Sequence, residues 1–149
     1  MDGILGNGLY LTYNPTVTEW THGEARERII IPPGEITDFS SIPKTGLLGW
    51  FAKKRGFNPS APYFIRSGKI HDMLYLALKK WGGILPQGWY QFFNPETSKW
   101  EDVLNYQWSR KQADEIWRRI SIEDGCPVDV ANEGYWWLRH FGGLHMLFH

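Results

Sequence analysis

The chain has 149 residues, 16 basic and 16 acidic side chains, and a formal net charge of zero. That length suits one domain with one core, and a hydrophobic fraction of 42% excludes a disordered chain. Balanced charge leaves no basic excess to neutralise a phosphate backbone, which argues against general nucleic-acid binding.

The N-terminus, MDGILGNGLYL, has no basic region followed by a cleavable apolar stretch. No run reaches the roughly 18 apolar residues of a membrane span, so neither export by a signal peptide nor a spanning helix is expected. Leu9 to Tyr13 is apolar and aromatic, and Asn14-Pro15 breaks it. Thr16 to Trp20 is β-branched and aromatic, His22-Gly23-Glu24 reads as a turn, and Arg26 to Ile31 ends fully apolar before Pro32-Pro33-Gly34. Two or three antiparallel strands within residues 9–37 follow from this spacing. Residues 44–66 read as a loop with one short helix near Leu47 to Lys54.

Ser67 is placed to cap the next helix, over 67–81, whose apolar stripe is Ile70, Leu74, Ala77, Leu78 and Trp81. Gly82-Gly83 stops it. Tyr90 to Phe93 and Lys99 to Val103 flank Asn94-Pro95-Glu96-Thr97, the pattern of an inserted hairpin. Ser109 and Gln112 form a capping box that opens a helix over 109–123, burying Ala113, Ile116, Trp117 and Ile120. Cys126 is the only cysteine, so no intramolecular disulfide can form, and a reducing compartment fits. With no basic neighbour it reads as structural. Pro127 suits the first turn of a third helix, over 127–141, with Leu138 on its buried stripe and Gly142-Gly143 closing it. Gly134 in its middle implies close helix packing. Separate runs of strands and helices predict an α+β domain: a small N-terminal antiparallel sheet packed on about three α-helices, with an inserted hairpin, all in one unit over 1–149. Nine tryptophans imply either an aromatic core or a surface that docks on another protein or on lipid.

The chemistry concentrates at His71-Asp72. His71 and Tyr75 are four apart and share a helix face, while Asp72 points about 100° around from His71. Asp114 lies in the first turns of a helix expected to pack against this one. A carboxylate on one imidazole nitrogen fixes the tautomer and makes the other nitrogen a better base. The same pairing also serves as a structural contact. Asp38 is either a further ligand or partner of the site, or a turn residue capping backbone N–H groups with Ser40 and Ser41. His140, His145 and His149 match no standard metal spacing.

Three ordered motifs carry a resemblance. They are T-D-F-S-S-I-P (Thr37 to Pro43), I-H-D-M-L-Y (Ile70 to Tyr75) and S-R-K-Q-A-D-E-I-W (Ser109 to Trp117). Together they resemble an uncharacterised family of phage- and prophage-encoded proteins, over roughly Ile29 to Phe141, with the hairpin region 84–106 outside the resemblance. The resemblance implies a viral source and a place in the host cytoplasm or the virion. It implies other phage virion proteins or a lipid surface as partners. H-D-x-x-Y on one helix with A-D on a partner helix is, more distantly, similar to the phospholipase A2 arrangement. That likeness implies His71 as the base that activates water, Asp72 as a ligand for calcium or another divalent cation, Tyr75 as a supporting donor and Asp114 as the orienting carboxylate. The paired disulfides of that arrangement are absent, and Gly46-Leu47-Leu48-Gly49 is a poor substitute for its calcium loop. An HD-type phosphohydrolase would need a further histidine upstream on a neighbouring helix, and only His22, in a turn, precedes His71.

Two classes of function follow. One is a hydrolase in which His71 activates water. The other is a non-enzymatic virion, tail-assembly or host-interaction protein in which His71, Asp114 and Tyr75 are a buried polar network. They part on accessibility: a base needs substrate access, whereas a strut can be sealed.

Overall fold

The computed structural model describes residues 2–6, 9–12, 16–31, 36–37 and 61–148, with side chains described at 17–31 and 61–142. The expected short helix near 47–54 and Asp38 lie outside the described residues. The chain is α+β, as its pattern predicts. Among the described residues seven strands are followed or interleaved by three α-helices: β1 (Asp2–Gly6), β2 (Leu9–Thr12), β3 (Thr16–His22), β4 (Ala25–Ile31), β5 (Ile36–Thr37), β6 (Tyr90–Asn94) and β7 (Lys99–Asp102), with α1 (Ile65–Trp81), α2 (Arg110–Glu123) and α3 (Val128–Phe148).

The strands form two sheets rather than the one expected within residues 9–37. The first has the order β1-β2-β5 and the second β3-β4-β6-β7, every pairing antiparallel. The hairpin β6–β7 is therefore no appendage. It extends the second sheet by pairing β6 with β4, Arg28 opposite Gln91 and Ile29 opposite Tyr90. Gly23 makes the β3–β4 turn at φ +65°, a left-handed conformation that glycine adopts without strain.

Strand alternation sets the sheet's two faces. On the inner face Thr18, Trp20, Ile29 and Ile31 are buried. Trp20, Ile29 and Ile31 meet Ile70, Met73, Leu74 and Ala77 of α1 and Ala113, Ile116 and Ile120 of α2 in the main core. On the outer face the Arg28 guanidinium lies 4.2 Å from the Trp100 ring and Arg26 4.7 Å from Phe93. These contacts tie the hairpin to β4 by cation–π attraction. A second cluster joins α2 and α3: Ala61, Phe64, Trp117, Cys126, Ala131, Trp137 and Leu138. Trp20, Trp108, Trp117 and Trp137 are all buried, so much of the tryptophan content is core.

The helix boundaries follow local chemistry. Ser109 Oγ accepts from the Gln112 backbone N–H at 3.1 Å and Gln112 Oε1 accepts from the Ser109 N–H at 3.0 Å, the expected capping box. Gly82 ends α1 in the left-handed conformation at φ +64°. Two expectations fail. Ser67 does not cap α1, because a 3-10 turn over Pro62–Phe64 starts the helix earlier. Its hydroxyl is instead buried against α2, accepting from Ser121 Oγ at 2.8 Å. Gly142-Gly143 does not end α3, which continues to Phe148. The apolar Leu144, Met146, Leu147 and Phe148 that follow contain no proline to stop it. Gly134, as expected of a packing position, is buried. Cys126 is also buried, and its thiol is pushed up to about 11 by burial and then by Asp129, which leaves it unreactive near neutral pH.

Arg66 at the start of α1 locks the sheet edge to the helices. It donates to both carboxylate oxygens of Asp124, at 3.0 and 2.8 Å, and to the Glu19 carbonyl. Glu123 in turn accepts from the Thr21 N–H and hydroxyl.

Trp117 stacks on Phe64 at 5.0 Å between ring centroids and is 2% exposed. Trp117→Ala leaves a cavity between α2 and α3 and is expected to cost about 3–5 kcal/mol. Chemical denaturation checks this, and an unchanged midpoint would place Trp117 outside the load of the core.

Candidate functional site

Helix α1 presents His71 and Tyr75 one turn apart on the face that packs against α2, and α2 places Asp114 opposite them. His71 Nε2 lies 2.7 Å from Asp114 Oδ1, and the Tyr75 hydroxyl donates to the same oxygen at 2.6 Å. The His71 and Tyr75 rings are 4.0 Å apart, which fixes the imidazole against the phenol. The second carboxylate oxygen, Asp114 Oδ2, accepts from Arg139 of α3 at 2.7 Å. One carboxylate thus joins three helices. His71 and Asp114 are both fully buried, while the Arg139 side chain is 28% exposed.

The protonation states follow from these partners. Burial by itself raises the Asp114 pKa, but donors from His71, Tyr75 and Arg139 outweigh it and hold the carboxyl below its ordinary value. Asp114 is therefore ionised and can only accept. Burial and the adjacent carboxylate push the Tyr75 hydroxyl far above its usual range, so it stays a donor. Burial lowers the His71 pKa, and this outweighs the hydrogen bond and charge of Asp114, which raise it; the positive charge of Arg110 lowers it further. His71 is neutral. An acceptor-only carboxylate on Nε2 requires the proton there, which leaves the lone pair on Nδ1. Nδ1 is buried and has no hydrogen-bond partner among the described residues.

Asp72 is half-buried on another face of α1 and is not drawn into this cluster by any of the contacts above. β5 (Ile36–Thr37) contacts α1, and Asp38 lies outside the described residues. Among the described residues no group of three or more His, Cys, Asp or Glu side chains is placed to hold a metal ion. The Asp114 carboxylate is engaged by Arg139, His71 and Tyr75 and serves as their acceptor; of the two expected cation ligands, Asp72 stands outside these contacts and Asp38 lies outside the described residues. His140 is turned to its own helix, donating through Nδ1 to the Trp136 carbonyl at 2.8 Å. The side chain of His145 and the whole of His149 lie outside the described residues.

Three parts of the site were missed in the sequence. Arg139 reads alone as a surface residue of a helix. Arg110 reads as the first residue after a cap, yet its guanidinium donates to the Leu138 and Arg139 carbonyls at 3.1 and 3.2 Å and positions that turn of α3. Gly142 reads as a helix stop, yet a Cβ built there would lie 2.5 Å from the Tyr75 hydroxyl oxygen. The only available signal was the apolar sequence continuing beyond Gly142-Gly143, which extends α3 past Tyr75.

The model of one protein family, described as a protein of unknown function (DUF1353), matches residues 16–137. The chain belongs to the DUF1353 family. The DUF1353 match runs through β3, β4, the hairpin, α1, α2 and the first half of α3, so it contains His71, Tyr75 and Asp114 and spans the hairpin. No curated protein and no solved structure matches the chain.

Two predictions follow from the DUF1353 site geometry. Gly142→Ala places a methyl group on the Tyr75 hydroxyl, and the clash outweighs the helix-propensity gain of about 1 kcal/mol. The variant is expected to lose about 1–3 kcal/mol, as overpacked cores do, measured by denaturant unfolding. If it is instead stabilised, Tyr75 does not occupy that position.

The second concerns pH. The folded pKa of His71 lies below its ordinary 6.5, so the unfolded chain takes up a proton first as pH falls. Stabilisation by neutral His71 is full above 6.5 and is lost as pH drops toward the folded value. Wild type should lose up to about 1.4 kcal/mol per pH unit through this group below about pH 6.5, and His71→Gln should lack that component. Parallel stability–pH slopes for the two proteins would show that His71 is not held neutral.

Proposed function

We propose that this DUF1353 chain is a phage-encoded protein, virion-associated or acting in the host cytoplasm, whose His71 is the general base of a hydrolytic site of the phospholipase A2 kind. The observation that carries the reading is the tautomer. Asp114 fixes the Nε2–H, and the lone pair of Nδ1 is the one ring position with no described partner. A buried acceptor left unpaired costs about 1–3 kcal/mol, and a water that gives up its proton to Nδ1 would satisfy it.

In this mechanism Nδ1 takes a proton from water while the water oxygen attacks an ester carbonyl or a phosphoryl centre. The imidazolium so formed keeps its Nε2–H on Asp114, and Tyr75 holds the carboxylate in place. The proton then passes from Nδ1 to the leaving alkoxide. Burial, with the positive charge of Arg110, keeps the imidazole uncharged in the resting state and ready to accept.

Complete burial of His71 and Asp114 closes the substrate access that a base needs, so the base reading requires a local opening over Nδ1, and it favours a second reading. In it the cluster is a clamp that fixes α1, α2 and α3, and the protein acts by assembly or host interaction. Both readings predict that His71→Gln folds, because its amide still offers Asp114 a donor. They differ in turnover. Wild type is assayed on phospholipid vesicles and on a phosphodiester, each with and without Ca²⁺. The base reading expects hydrolysis that falls about 100-fold or more in His71→Gln at unchanged stability. Equal rates, or no turnover by wild type on either substrate, would leave the clamp.

A further inference from the structure

Arg139 also lines an open groove of about 540 Å³ between α2 and α3. Arg118 and Arg119 from α2 and Arg139 from α3 all line it, against a single carboxylate, Glu115. Arg118 Nε donates to Asn132 Oδ1 at 2.6 Å, a neutral acceptor that orients the guanidinium without discharging it. Among the described residues no carboxylate lies within ion-pair distance of Arg118 or Arg119; the ion pairs formed by the neighbouring guanidinium groups are those of Arg139 with Asp114 and Arg66 with Glu123 and Asp124. Arg118, Arg119 and Arg139 are each part-buried, so these cations are held at a wall rather than extended into solvent. Tyr135 and Trp136 line the same groove, and Trp136 stacks on His140 at 4.2 Å between centroids.

Converging guanidinium groups repel one another unless an anion joins them. Their planar forks match phosphate oxygens in pairs. We infer that this groove is a binding site for a phosphate-bearing ligand, with Arg118 and Arg119 as its principal donors and the Tyr135–Trp136 wall taking the apolar or ring portion. The phosphate is that of a soluble monoester or of a lipid headgroup. Arg139 contributes from the groove floor, one of its nitrogens being committed to Asp114. The site stands independently of the general-base reading, since it needs no turnover at His71.

The test is equilibrium binding to the full chain, by calorimetry with inorganic phosphate and with adenosine monophosphate, and by sedimentation with phosphatidylglycerol and phosphatidylcholine vesicles. Arg118→Gln/Arg119→Gln is the variant, with Arg118→Lys/Arg119→Lys retaining charge but losing the fork. Both doubles should melt like wild type, because neither arginine belongs to the buried clusters. Saturable binding of a soluble phosphate that weakens at least about tenfold in the glutamine double, and less in the lysine double, is expected. Binding only to the phosphatidylglycerol vesicles, lost in the glutamine double, assigns the phosphate to a lipid headgroup. No binding to any of these probes, or binding that the glutamine double leaves unchanged, overturns the site.

Discussion

The Asp114 carboxylate is the point on which the helical half of the molecule converges. It accepts from His71 and Tyr75 on α1 and from Arg139 on α3, while standing on α2 itself. An ionised carboxylate taken out of water is costly, and the cost is offset only when its lone pairs are filled and its charge is matched. Here Arg139 matches the charge, and the two uncharged donors complete the oxygen that faces the core. Removing any one of them would leave the others with a buried, under-satisfied anion, so the relative positions of three helices are coupled through one group.

The surrounding packing makes that convergence possible. Ser67 and Ser121 bring α1 and α2 together one layer away, through a hydrogen bond that needs small side chains at the contact. Arg110 grips the Leu138 and Arg139 carbonyls and so sets the turn of α3 from which Arg139 reaches inward. Gly142 leaves room for the Tyr75 hydroxyl. Arg110 and Gly142 thus act on partners of Asp114 rather than on His71 itself. On the other flank, the sheet contributes Trp20, Ile29 and Ile31 to the core beneath α1, and the hairpin widens that sheet. A rigid sheet behind α1 keeps His71 in register with α2.

Arg139 also gives the buried cluster a route to the surface. Its guanidinium bonds Asp114, and the residue also lines an open groove. An anion in that groove would meet the guanidinium nitrogens that Asp114 does not take. Because Asp114 sets the His71 tautomer, occupancy of the groove and the state of the imidazole share one residue, whichever functional reading holds.

Much of this was legible in the sequence because it depends on local pattern. The apolar stripe from Ile70 to Trp81, the Ser109–Gln112 capping box and the turn at Gly23 each follow from short-range geometry, and all are present. The spacing of His71 and Tyr75 placed them on one face, and the position of Asp114 early in the next helix made their meeting a natural expectation. Tertiary structure alone decided the rest. Whether Ser67 caps a helix or bonds Ser121 depends on where Pro62–Phe64 starts the chain turning. Whether Tyr90 to Asp102 is an insertion or two sheet strands depends on β4 offering a free edge, which strand pattern does not encode. Arg139, Arg110 and Gly142 lie 25 or more residues from the groups they serve, or on a helix whose length two glycines disguise. The sequence determined which residues could hold an ionised carboxylate inside a helical core. Only packing decided that Arg139 would neutralise it, because charge compensation in a low-dielectric interior is settled by distance in space.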